Sequence, residues 1–156
     1  MDLDELLPAF AARLGIEGLA VHDGACALEI DGMTVDIAQV PDGTALAACA
    51  VLGKPPLEKE EVFLETLLEA SIHLHPRENI AFGLLPETGD LVLQWRTATA
   101  ALDLDTFCGQ LENFVNRADQ WRRTLEDFRP AAEQAVMQEE DSPSSLDMGP
   151  EGFLPV

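Results

Sequence analysis

The dipeptide Asp31-Gly32 constrains this chain more than any other pair of residues. It lies between two runs of alternating character. Cys26, Leu28 and Ile30 alternate with Ala27, Glu29 and Asp31 before it, and Met33, Val35 and Ile37 alternate with Thr34, Asp36 and Ala38 after it. A two-residue turn between strands needs positive φ at both central positions, which Asp-Gly adopts readily and most pairs do not. The segment therefore predicts a tight antiparallel hairpin whose apolar residues share one face.

The remaining elements follow from where the period of two starts and stops. Leu3, Leu6, Leu7, Phe10 and Leu14 recur at helical spacing opposite Asp2, Asp4, Glu5 and Arg13. Acids at the positive end of the helix dipole and Gly15 just past the far end complete an amphipathic helix over 2–14. His22-Asp23-Gly24 and Asp42-Gly43 mark further turns. The apolar pieces from Leu19 to Val21 are thus a candidate first strand, and TALAACAVLG reads as a strand with small residues on one face. After the break at Lys54-Pro55-Pro56, helical spacing resumes over 58–74 through Val62, Phe63, Leu67, Leu68 and Ile72. Pro76 is expected to end that helix.

Ile80, Phe82 and Leu84 then alternate, Glu87-Thr88-Gly89-Asp90 turns, and Leu91, Leu93 and Trp95 alternate again as a second hairpin. A stripe of Leu104, Phe107, Cys108, Leu111, Phe114, Val115, Ala118, Trp121 and Leu125 closes the pattern as a long helix, with Asp103 or Asp105 as N-cap. The predicted fold is α+β: three helices packed on a twisted antiparallel sheet, in the order α-β-β-β-α-β-β-α, with room for a fourth strand before the second helix.

Composition separates the end of the chain from the rest. Residues 130–156 hold six acidic residues, no basic one and four prolines, so a folded domain is expected over 1–129 and a disordered tail after it. Phe153, Leu154 and Val156 form an apolar patch at the tip. They suit a groove on the domain or a docking handle for another component.

Charge excludes whole classes of partner. Twenty-nine Asp and Glu against nine Lys and Arg give a net charge of -20, of which -14 belongs to residues 1–129. Such a surface repels phosphate backbones and anionic lipid, so neither nucleic acid nor membrane is an expected partner. Like charge also keeps soluble a chain that carries exposed apolar patches. MDLDELLPAF lacks the basic start and apolar run of a signal peptide. Cys26, Cys49 and Cys108 suggest neither a disulfide framework nor a CxxC pair. A cytoplasmic address is expected.

Catalytic chemistry finds little support. His73 and His75 stand two residues apart, roughly 200° around a helix, and cannot share one metal there. His22 sits at a turn. The three cysteines fall within strand and helix patterns, where small buried apolar roles are usual. Asp103 and Asp105 open a helix where the dipole favours acids. Glu58, Glu61, Glu65 and Glu69 form a solvated face or an electrostatic face for a basic partner. No phosphate loop, GxSxG, HExxH or EF-hand pattern is present. Neither a cofactor nor a metal is expected, and an enzyme built on His73 or His75 is the weakest reading.

The order of elements and several strings resemble the class I type III secretion chaperones, the family that includes the chaperone of the translocated intimin receptor. The resemblance runs from LLPAFAARLGI through ACALEIDGMTVDIAQV, is sharpest over LLEASIHLHPRENIAFGLLPETGDLVLQWR, and closes with FCGQLENFVNRADQW and its Trp121. It covers residues 2–127. Ser71 stands where the family often has Asn, and the tail from 130 is longer than in many members.

The resemblance implies a small acidic homodimer of the bacterial cytoplasm. It would bind the N-terminal region of a secreted effector, hold it extended and soluble, and deliver it to components of the secretion apparatus. Extended partners add hydrogen bonds at a sheet edge and fill apolar pockets. Leu3, Leu7 and Phe10 of the first helix and Leu28, Ile30, Val35 and Ile37 of the first hairpin are the candidate effector-binding residues, with core packing as their other role. Dimerisation, in the family a property of the second helix and the next strand, would fall on Leu68, Ile72, Ile80, Phe82 and Leu84. The alternative function for the same fold is a regulatory protein that sequesters a secretion regulator.

Overall fold

Asp31 and Gly32 take φ of 50° and 74°, and the chain reverses so tightly that Ile30 stands opposite Met33. This turn joins β1 (Ala25–Ile30) to β2 (Met33–Gln39). A computed structural model describes residues 3–128, so Asp2 and the 130–156 tail with its Phe153, Leu154 and Val156 lie outside the described residues. Helix α1 (Leu3–Leu14) precedes the hairpin and β3 (Ala45–Gly53) follows it. Helix α2 (Glu60–Glu78), strands β4 (Ile80–Leu84) and β5 (Leu91–Ala98), and helix α3 (Leu104–Asp127) complete the α+β fold. The five strands form one antiparallel sheet in the order β1-β2-β3-β5-β4.

Two local expectations are corrected. Leu19 to Val21 form no strand, because positive φ at Asp23 and Gly24 turns the chain so sharply that only a single bridge, His22 to Ala25, is made. Leu19 and Val21 pack on the core instead. Pro76 does not end α2, which continues to Glu78. The proline lacks the N–H that would bond to the carbonyl of Ile72, and the helix runs on for only two residues beyond it. The helix stops at Asn79, whose left-handed φ of 54° turns its N–H to the carbonyl of His75.

The register sets the core. Cys26, Ile37, Ala48, Trp95 and Ile80 lie in one row across the sheet, and Leu28, Val35, Ala50, Leu93 and Phe82 in the next. Both rows face inward. Over them pack Leu3, Leu6, Leu7 and Phe10 of α1 and Phe107, Leu111, Phe114 and Ala118 of α3, all buried. Aromatic rings meet edge to face: Phe10 of α1 lies 5.4 Å from Phe107 of α3, and Phe82 of β4 lies 4.9 Å from Trp121 of α3. Trp95 stacks on Phe114 at 6.1 Å. Asp103 caps α3 by accepting from the backbone N–H of Thr106 at 2.7 Å. Leu91, Val92 and Leu93 are buried in succession, so β5 is covered on both faces at that end, near which Phe63 of α2 meets Phe128.

Truncating Phe107, buried against Phe10 and Trp95, should cost about 3–5 kcal/mol as Phe107→Ala, read from urea unfolding. Hydrogen bonds from Thr106 hold the Asp103 carboxyl below its ordinary pKa. A depressed native pKa gives stability above the unfolded value of about 4 that is lost as pH falls through the native one. The gap in melting temperature between wild type and Asp103→Ala should therefore be steady from neutral pH to about pH 5 and narrow below about pH 4. A gap unchanged at pH 3 would refute the assignment.

Candidate partner-binding site

The seven residues expected to meet an effector do come together, but beneath the surface. Leu3, Leu7, Phe10, Leu28, Val35 and Ile37 are buried in the core, and Ile30 at the hairpin is half-buried. Alternation put the hairpin residues on one face, and α1 covers that face. What the hairpin offers a partner is its edge: β1 is an outer strand of the sheet with β2 on one side only.

Helix α2 carries two apolar stripes. Phe63 and Leu67 point into the core, while Leu68 and Ile72, one turn apart from each other and about 100° or more around the helix from Leu67, are each 70% exposed. Leu84 at the end of β4 is 50% exposed. Three of the five residues expected at a dimer interface are thus accessible. Of the other two, Ile80 is buried and Phe82 is half-buried against Trp121.

His75 lies on the same flank of α2 as Leu68 and Ile72. With Asn79 it borders a shallow depression of about 850 Å³ over the outer face of the sheet. The floor is built from small side chains, Ala38, Ala47, Cys49 and Ala81, with Gln94 and Arg96 standing at its sides. Register accounts for them: Asp36, Cys49, Gln94 and Ala81 form one outward row, and Ala38, Ala47 and Arg96 another. The small-residue face of TALAACAVLG was the sequence signal for this floor. Its extension onto Ala38 and Ala81 depends on strand order, which no local pattern carries.

Burial pushes the Cys26 and Cys49 thiols up from their ordinary value, and the charge of Asp36 adds to both. These thiols are poor nucleophiles. His73 and His75 are exposed on different sides of α2. Among the described residues no group of three or more His, Cys, Asp and Glu is placed to hold a metal ion. No helix among them is long and apolar enough to cross a membrane.

Several solved structures share this fold. The fold matches a chain of the ExsC–ExsE complex with a TM-score of 0.68 and 27% identity, over 80% of this chain and 97% of that one. A chain of the HopA1–SchA chaperone–effector complex matches with a TM-score of 0.66 at 17% identity, over 77% and 92%. The Yersinia pestis type III secretion chaperone SycH, solved with a fragment of YscM2, matches with a TM-score of 0.60 at 20% identity, over 74% and 96%. No curated protein sequence matches. The model of one protein family spans residues 5–122, from the first turn of α1 almost to the end of α3. By that match the chain belongs to the Tir chaperone protein (CesT) family.

Proposed function

We propose that the protein is a cytoplasmic type III secretion chaperone that binds the N-terminal region of a cognate effector, keeps it soluble and extended, and delivers it for secretion, without catalysing a reaction and without a cofactor. The family match over residues 5–122 carries this reading. The likeness to a chain of a chaperone–effector complex supports it. So does the open β1 edge, whose main-chain groups suit an extended chain. On this reading the effector runs along β1 beside Ile30. Leu3, Leu7, Phe10, Leu28, Val35 and Ile37 form the layer beneath that holds the edge in place, and reach the effector directly only where α1 shifts.

The second element of the proposal is a homodimer through the exposed flank of α2. A two-fold interface must be self-complementary. Here Leu68 and Ile72 are exposed on the flank of α2 that His75 carries to the floor of alanines and Cys49, so two copies can offer each other large side chains and a receiving surface. Leaving that flank in water would expose an apolar patch of the kind that marks interaction sites.

The Leu68→Arg/Ile72→Arg variant should run as a monomer in light scattering with an unchanged circular dichroism spectrum. A variant dimer as tight as wild type would overturn this interface. Purification of the tagged protein from its own bacterium, followed by limited proteolysis, should recover a stoichiometric partner protected near its N-terminus. Recovery of a secretion regulator would instead make the protein a sequestering factor, and no partner at all would overturn the chaperone reading.

A further inference from the structure

The inner side of the α2–β4 corner holds a second, chemically different concavity. It has a volume of about 560 Å³ and lies between α3 and residues 77–80. Its apolar base is Ile80, Trp95 and Phe114, all buried. Its walls are carboxamides: Asn79, Gln110, Asn113, Asn116 and Gln120. Glu78 is held against α3 by Arg117, which donates to its two oxygens at 2.9 and 2.7 Å, so the width of the cleft is set by a paired contact.

Two features of this cleft are unsatisfied. The Oε1 atom of Gln110 is buried and accepts no hydrogen bond. A buried acceptor without a donor carries a penalty that an incoming N–H or O–H would relieve. At the rim, the exposed Arg77 guanidinium has no ion-pair partner among the described residues, although the chain carries a net charge of -20. An occupant that brings a donor to the interior and an anion to the rim is matched at both places. Carboxamides present both a donor and an acceptor, the complement of a peptide unit.

We infer that this cleft binds an extended client segment in which a carboxylate side chain meets Arg77 while the adjoining main chain crosses Gln110 and Asn113, over Trp95. The inference rests on the chaperone reading for its client. It adds a contact that fixes register, because apolar grooves and strand edges tolerate sliding whereas a single acid at a single guanidinium does not. At physiological ionic strength charges beyond about 8 Å are screened, so Arg77 and not the overall negative field decides what the rim accepts.

The test uses the full chain and two 12-residue probes of Gly, Ser and Asn, one carrying two Asp and the other two Lys. The acidic probe should bind and shift the side-chain amide signals of Gln110 and Asn113 in NMR spectra, and the basic one should not. Arg77→Glu should weaken acidic-probe binding at least about tenfold, as expected for a lost charge-assisted bond. Gln110→Leu should also weaken it. Arg123→Glu, the same charge change further along α3, should leave it within about twofold. Equal binding of the two probes, no binding of the acidic one, or indifference to Arg77→Glu would overturn the site. A client captured equally by wild type and Arg77→Glu would overturn the site and leave the chaperone reading standing. Acidic-probe binding that needs Arg77, in a protein that captures no client, would uphold the site and overturn the chaperone reading.

Discussion

Trp95 holds the domain together. From the middle of β5 its indole reaches Phe107 and Phe114 of α3, and Phe107 in turn meets Phe10 of α1. One ring on one strand thus joins the sheet to two helices, and the small side chains of Ala48 and Ala50 on the neighbouring strand leave room for it. Concentrating the bulky rings on one face has a consequence on the other. The outward rows of β2, β3 and β4 carry alanines and Cys49 beside Asp36, side chains too small to fill the surface, and that face stays shallow and open.

Ion pairs fix the positions of elements more than they stabilise them. Exposed pairs contribute about 0–1 kcal/mol each. Yet Arg117 to Glu78 ties α3 to the end of α2, Arg13 to Asp105 ties α1 to the start of α3, and Lys54 to Asp90 ties the segment after β3 to the one before β5. In a chain with nine bases and twenty-nine acids, most acids remain for solvent, and three of the bases, Arg13, Lys54 and Arg117, stand at junctions between elements.

Much of this was legible in the sequence, for identifiable reasons. The Asp31-Gly32 hairpin was, because positive φ at two adjacent residues is a local demand. The three helical stripes were, because burial repeats every turn. Coverage was not: alternation says that Leu28, Val35 and Ile37 share a face, and only the docking of α1 says that this face is core. Leu67 and Leu68 are neighbours in one apolar run, yet one is buried and the other 70% exposed, a distinction set by what packs against α2. Leu19 to Val21 had strand-like content and no partner strand. The carboxamide cleft has no sequence signature, since Arg77 and Gln110 are brought together only by the crossing of α3 over the α2–β4 corner.

A single residue, Asn79, separates the last turn of α2 from the first pair of β4. With its N–H engaged by His75 and its carbonyl by the backbone N–H of Arg96, this connection has no slack. Helix and strand therefore act as one lever. A displacement of α2 is passed to β4, at the margin of the sheet opposite β1, and through five paired positions to β5.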